Sequence, residues 1–247
     1  MVHQRPKPCP PTLQKIKKGC WRRGCGVLDL YQDSSTKQKL IVKKSKKNKN
    51  GVMVHQYRNL EYLRQKQIYN QFLCPKGIFE KDDKLFIAFT YLENYVNLEN
   101  IVDQDMSFLL KIGKKLVQSL KLLHKNNMVH MDIKPSNIMV NVKTGNVRFI
   151  DFGGALMEKK NQKVYEAITW TNYYLSPEFK LRYKRDKKIL SLFEEMKRND
   201  IWALGMTLFY LFKNSSFDDL EEFNDFFNLS NNMHTNFFDL TPLKRKL

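Results

Sequence analysis

The sequence predicts an α+β fold of two lobes, a small β-rich one followed by a mainly helical one that is abbreviated at its C-terminal end. Three observations carry that expectation. Short runs rich in Val, Ile, Leu, Phe and Tyr crowd the first 92 residues and are bounded by polar, turn-like stretches. Beyond them, Leu109, Ile112, Leu116, Leu120 and Leu123 recur at helical spacing and give one apolar stripe. A second apolar segment, IWALGMTLFYLF (residues 201–212), falls short of the ~18 residues a membrane span requires and reads as a buried core helix.

Taken in order, residues 1–12 are polar and Pro-rich and read as a disordered tail. The small lobe is expected over residues 13–92 and the larger over residues 93–247, as parts of one domain. VLDLY (residues 27–31) and KLIVKK (residues 39–44) flank the turn-like QDSSTKQ and predict a hairpin. A polar, helix-compatible stretch follows over about residues 52–69. GIFEKDDKLFIAFTYL (residues 77–92) holds two strand-like runs around a charged turn. The helix carrying the leucine stripe should end before HKNNMVH. VHMDIKPSNIMV (residues 129–140) then sets His, Asp, Lys and Asn between two apolar ends, and VRFIDFGG (residues 147–154) reads as a strand running into a glycine turn. After Phe212 only 35 residues remain.

An apolar content of 42% and an aromatic content of 13% suit a folded chain and exclude a disordered one. The N-terminus has no apolar signal-like run, and Cys9, Cys20, Cys25 and Cys74 have no C-x-x-C spacing. Reduced thiols in an intracellular protein, cytoplasmic or nuclear and not secreted, are the expectation. The formal net charge is +18 and is unevenly spread: residues 1–92 hold 20 Lys and Arg against 6 Asp and Glu. Such a lobe should attract anions, either acidic proteins or nucleic acid. KKSKKNK (residues 43–49) reads equally as an import signal or nucleic-acid patch and as a solvated loop.

The chemistry concentrates after residue 129. Asp132 and Asn137 lie on one loop, and Asp151 stands at a strand end before Phe152 and Gly153. A carboxylate and an amide oxygen are hard ligands suited to Mg²⁺, which completes its shell with water and phosphate oxygens. A second carboxylate, Asp132, is placed to orient a hydroxyl nucleophile and accept its proton. A lysine from the small lobe would be needed to hold nucleotide phosphates.

HMDIKPSN resembles the catalytic loop H-R-D-x-x-x-x-N of eukaryotic-type protein kinases, DFG their metal-binding motif and SPE their A-P-E. The resemblance runs from about Ile16 to the C-terminus and implies the kinase fold, with ATP and Mg²⁺ (or Mn²⁺) as cofactors and protein Ser/Thr hydroxyls as substrate. It makes Asp132 the catalytic aspartate, Lys134 the lysine beside the transferred phosphate, and Asn137 and Asp151 the metal ligands. LIVK resembles V-A-I-K, so Lys43 would pair the phosphates, with Lys44 the runner-up. Glu61, the sole acid between Lys43 and Phe79, becomes the candidate partner on the helix. TWTNYYLSPE puts Thr171 at the substrate-docking threonine. FTYLEN makes Phe89 the gatekeeper and gives the adenine edge to the backbone of Thr90 and Leu92. NDIWALG resembles D-x-W-x-x-G, where Asp200 would brace the catalytic loop, and Arg245 would pair with Glu178.

Three departures stand out. KKGCWRRGCGVL supplies Gly19, Gly24 and Gly26 but does not fit G-x-G-x-x-G without a gap. Met131 replaces the arginine that meets an activation-loop phosphate, which implies constitutive competence. The compact chain resembles kinases of large DNA viruses or intracellular parasites. Two alternatives remain open: a pseudokinase acting as a binding or scaffolding module, and a small-molecule phosphotransferase sharing the H-x-D-x-x-x-x-N loop.

Overall fold

Pairing of short runs rich in apolar and β-branched residues sets the first sheet. The computed structural model describes residues 7–8, 12–23, 26–46, 50–101, 104–158, 171–185 and 193–213. Six strands, β1 (Lys7–Pro8), β2 (Leu13–Arg23), β3 (Gly26–Asp33), β4 (Lys39–Ser45), β5 (Pro75–Lys81) and β6 (Lys84–Thr90), line up in the order β1-β5-β6-β4-β3-β2. All neighbours are antiparallel except β1 and β5, so Lys7 and Pro8, inside the segment read as a tail, lie along a sheet edge. Leu40 and Val42 of β4 turn to one face and pack with Phe79, Phe86 and Ala88. Ile41 and Lys43 turn to the other.

Local chemistry fixes the two turns. In the β3–β4 hairpin, Asp33 Oδ1 accepts from the amides of Ser35 and Thr36, and these bonds with the Ser35 hydroxyl lower its carboxyl to about 2. Between β5 and β6, Asp82 and Asp83 adopt φ of 50° and 56°, the left-handed pair that a two-residue hairpin needs. The lysine run is divided by this geometry: Lys43 is buried within β4, Lys44 lies over the Phe86 ring, and residues 47–49 are outside the described residues.

Helix α1 (Asn50–Gln65) crosses the inner face of the sheet and buries Met53, Leu60 and Leu63 against Leu85, Ile87 and Phe89. Helix α2 (Met106–Lys125) starts where the Asp105 carboxylate accepts from the Phe108 amide. It buries the predicted stripe, Leu109, Ile112, Leu116, Leu120 and Leu123. Helix α4 (Phe193–Lys213) packs beside Gly113, where a Cβ would make an ordinary contact with Leu208 at 3.4 Å. The segment expected to be buried all round is one-sided among the described residues: Ala203, Leu204 and Leu211 face the core, whereas Ile201 is 59% exposed. Helix α3 (Pro177–Arg185) precedes α4. None of the described helices is long and apolar enough to cross a membrane.

Two small sheets frame the loop between the lobes. Strands β7 (Tyr95–Asn97), β9 (Ile138–Asn141) and β10 (Val147–Phe149) form one, in the order β10-β9-β7. Strands β8 (Met128–Val129) and β11 (Leu156–Met157) form the other. The segment holding Asp132 therefore leaves one sheet and enters the next, and the segment after Asp151 returns to pair with the first.

Candidate active site

Asp200 of α4 fixes the loop from below. Its fully buried carboxylate accepts from the amides of His130 (2.7 Å) and Met131 (2.8 Å), with His124 Nε2 at 3.0 Å. This grip holds Met131 at φ 64°, a left-handed conformation that a bulky side chain adopts only at a cost. His130 is fully buried. Its Nδ1 accepts from the Asp132 amide and its Nε2–H donates to Ile150 O, which ties the loop to the strand end before Asp151. The His130 ring and Phe72 both pack on Phe152, with centroids at 4.7 and 5.7 Å.

The polar ends meet above that base. Asn137 Nδ2 donates to Asp132 Oδ2 at 2.7 Å and to the Asp132 carbonyl at 2.8 Å. Both bonds use the amide nitrogen, so the carboxamide oxygen is left for a cation. Lys134 Nζ lies 2.9 Å from Asp132 Oδ2. Thr171 donates its hydroxyl to Asp132 Oδ1 at 2.7 Å and accepts from Lys134 Nζ. Asp132, Lys134, Asn137 and Thr171 are thus one hydrogen-bonded unit.

Asp151 projects from the other side, held at φ 60°. Lys43 Nζ donates to Asp151 Oδ1 at 2.8 Å and to Gln56 Oε1 at 2.9 Å. Burial opposes the Asp151 charge, but the Lys43 ammonium beside it prevails and holds the carboxyl below its ordinary value. A depressed acid stabilises the fold above its unfolded pKa of about 3.9, and that stability is lost as pH falls through the folded value. In Lys43→Met burial loses its strongest opponent, leaving only the weaker influences of His130 and the Gly153 amide, so the Asp151 pKa rises and the charged carboxylate becomes a penalty at neutral pH. The stability difference between wild type and Lys43→Met should therefore be smallest near pH 3 and grow to about 3 kcal/mol by pH 7. Urea unfolding across that range measures it.

Register puts the two lysines on opposite faces of the sheet. Lys43 pairs across to Leu28 and Ile87 and is buried, while Lys44 points to the opposite face. The expected partner is corrected: Glu61 is bonded to Arg64, and Gln56 occupies the place beside Lys43. Five residues at 100° each put Glu61 about 140° round the helix from Gln56, so its carboxylate cannot reach Lys43. The signal in the sequence was the phase of the apolar residues on α1, with Gln56 in line with Met53, Leu60 and Leu63. A search for an acid passes over it.

A cavity of about 300 Å³ opens between the lobes, lined by Leu28, Ile41, Lys43, Gln56, Phe89, Thr90, Leu92, Met139, Ile150 and Asp151. Phe89, Thr90 and Leu92 sit along one wall, where Tyr91 N–H is engaged by Lys39 O. Of the glycines, Gly26 opens β3, Gly19 lies within β2 and Gly24 is outside the described residues, as is Arg245.

Residues 24–242 match the family model described as protein kinase domain. The chain belongs to the protein kinase family. Within that family it is 30% identical over 136 residues to the dual specificity protein kinase zak2 of Dictyostelium discoideum, which covers 52% of this chain and 19% of the relative. It is 28% identical over 138 residues to a serine/threonine-protein kinase of Acanthamoeba polyphaga mimivirus, covering 52% and 46%. It is 25% identical over 205 residues to the serine/threonine-protein kinase TIO of Arabidopsis thaliana, covering 81% and 14%. Each match takes in less than half of the relative's length. In this protein kinase domain Lys43 and Asp151 line the interlobe cavity, and the Ile150 amide donates to the Asn137 carbonyl, which ties the Asp132 unit to the chain just before Asp151.

Proposed function

We propose that this protein kinase domain transfers the γ-phosphoryl of ATP to protein serine and threonine hydroxyls. The Thr171 hydroxyl, bonded to both Asp132 and Lys134, carries this reading. It fixes the substrate-side segment to the carboxylate that must receive a hydroxyl proton, and it gives a peptide a defined approach to Oδ1.

The residues divide the work by position. Adenine would enter the apolar cavity beside Phe89 and take backbone contacts from Thr90 and Leu92. Lys43 would hold the phosphates as a buried cation. Asp132 orients the attacking hydroxyl and accepts its proton, and Lys134 offsets charge on the transferring group. The Asn137 amide oxygen and the Asp151 carboxylate suit Mg²⁺, being hard oxygens. Bound there, magnesium would offset phosphate charge. The excess of lysine and arginine favours acidic protein substrates.

Met131 fits a kinase that needs no activation-loop phosphate. Its side chain is buried with Leu156, Leu175, Phe179, Phe193 and Met196, so apolar packing stands where an arginine would await a phosphoryl group. The test is transfer of labelled γ-phosphate from Mg-ATP to acidic and basic proteins, followed by phosphoamino-acid analysis. Label on serine or threonine that vanishes in Asp151→Ala and Lys43→Ala is the expected result. ATP binding with neither transfer nor hydrolysis would favour the scaffolding alternative.

A further inference from the structure

Three polar residues on the inner face of α1 do the holding that an ion pair to Lys43 would otherwise do. Gln56 is neutral, so its 2.9 Å bond to Lys43 positions the ammonium without opposing its charge. A bond of that kind is weaker than a charge-assisted pair to a carboxylate. Directly before Gln56, His55 Nε2–H donates to the carbonyl of Ala155 at 2.6 Å, and one turn on Asn59 Nδ2–H donates to the same oxygen at 2.8 Å. The short His55 contact requires a proton on Nε2, because two acceptors would repel at that distance. A carbonyl oxygen has two lone pairs, and both are taken.

The position of Ala155 gives the contact its consequence. It follows the DFGG turn directly and precedes β11, whose residues pair with β8 at the entrance to the Asp132 loop. Glu158 N–H continues the docking by donating to Asn127 O. Asn59 is 3% exposed, so its amide is committed to this bond and exchanges little with water. His55 and Asn59 lie four residues apart and converge on one atom, whereas Gln56 beside them reaches Lys43.

We infer that His55, Gln56 and Asn59 are positioning residues: α1 is clamped to the chain after Asp151 through the Ala155 carbonyl, and this clamp replaces a charged helix–lysine pair in holding Lys43 and Asp151 in register. The inference rests on the kinase reading for its catalytic consequence but not for its structural one. Amide hydrogen exchange over residues 155–158 and α1 should therefore be measured beside transfer, because exchange reports the clamp even if no transfer is found.

The test uses His55→Leu, Asn59→Leu, their double variant, His55→Gln, and Gln56→Glu placed in the double variant. Removing both donors should lower kcat about 100-fold, with a smaller rise in KM for ATP, and speed exchange at residues 155–158 at least 10-fold. His55→Gln retains a donor at similar reach and should stay within 3-fold of wild type. Gln56→Glu in the double variant restores a charged link to Lys43 and should recover kcat by at least 10-fold without restoring slow exchange at residue 155. Melting temperatures separate these effects from general loss of fold, which Gln56→Glu would not reverse. Unchanged exchange and kcat in the double variant would overturn the inference, and so would failure of Gln56→Glu to rescue.

Discussion

Asp132→Asn should remove phosphoryl transfer almost completely, with kcat falling about 1,000-fold and KM for ATP little changed. General-base positioning contributes ~10²–10⁴-fold in enzymes, and Asp132 is the one carboxylate in contact with both Lys134 and Thr171 among the described residues. It does not line the nucleotide cavity, so ATP should bind as before. The substitution also sets a geometric conflict. An aspartate accepts on both oxygens, from Asn137 at Oδ2, from Thr171 at Oδ1 and from Lys134 at both. An asparagine must turn an NH₂ to one of these faces. The Thr171 hydroxyl can rotate to accept, whereas the Asn137 amide nitrogen and the Lys134 ammonium can only donate. The NH₂ should therefore face Thr171, leaving its hydroxyl to point elsewhere and the peptide approach disturbed. Steady-state kinetics with a single protein substrate and a melting curve measure both parts. Transfer kept within 10-fold of wild type would remove Asp132 from the reaction and with it the proposed function.

What the sequence discloses depends on how local the cause is. Strands β3 to β6 were legible because they are short runs rich in Val, Ile, Leu, Phe and Tyr, and their turns carry Asp33, Asp82 and Asp83 at the positions where short acidic side chains satisfy turn amides or accept a left-handed backbone. Helix α2 was legible because its apolar stripe recurs at helical spacing, and the structure adds the Asp105 cap. Strand β2 was not read as a strand. LQKIKKGCWRR lacks alternation, and its exposed lysines suit a strand at the edge of a sheet, held by β3 alone. The catalytic loop could be read because its chemistry is packed into eight residues, HMDIKPSN.

The partners of that loop were harder, since they are set by the rotation of helices and not by residue type. Glu61 looked right for Lys43 because it is acidic, but helical phase brings Gln56 there. His55 and Asn59 carried no signal at all. Their target is a backbone carbonyl, which every residue possesses, and only the return of β11 toward β8 brings that of Ala155 within reach.

Asp200→Ala should be the most destabilising single change in the described part of the molecule, by about 4 kcal/mol. The carboxylate lies at 0% exposure and joins α4 to the catalytic loop some 70 positions earlier in the chain. Alanine would leave the amides of His130 and Met131 buried without acceptors, at roughly 1–3 kcal/mol each, and would open a small cavity. Water could repay part of this, but the brace would still be lost where the backbone needs it. Met131 holds φ 64° because both flanking donors are fixed, and once released it should relax toward an ordinary conformation. Asp132 follows Met131 directly, so its carboxylate would then leave the reach of Thr171 and Lys134. Stability and activity should fall together for this variant, in contrast to Asp132→Asn, where activity falls and stability stays. Asp200→Asn separates the two parts further. It keeps one acceptor oxygen for the loop amides and should recover about half of the lost stability. Its NH₂ must face either the Met131 amide in place of Oδ1, or the His130 amide together with His124 in place of Oδ2, so the loop should stay displaced and transfer should remain at least 10-fold below wild type. If Asp200→Asn instead restored full transfer, the carboxylate would be serving packing alone, and the geometry of Met131 would have to be held by its apolar neighbours Leu156, Leu175 and Phe179.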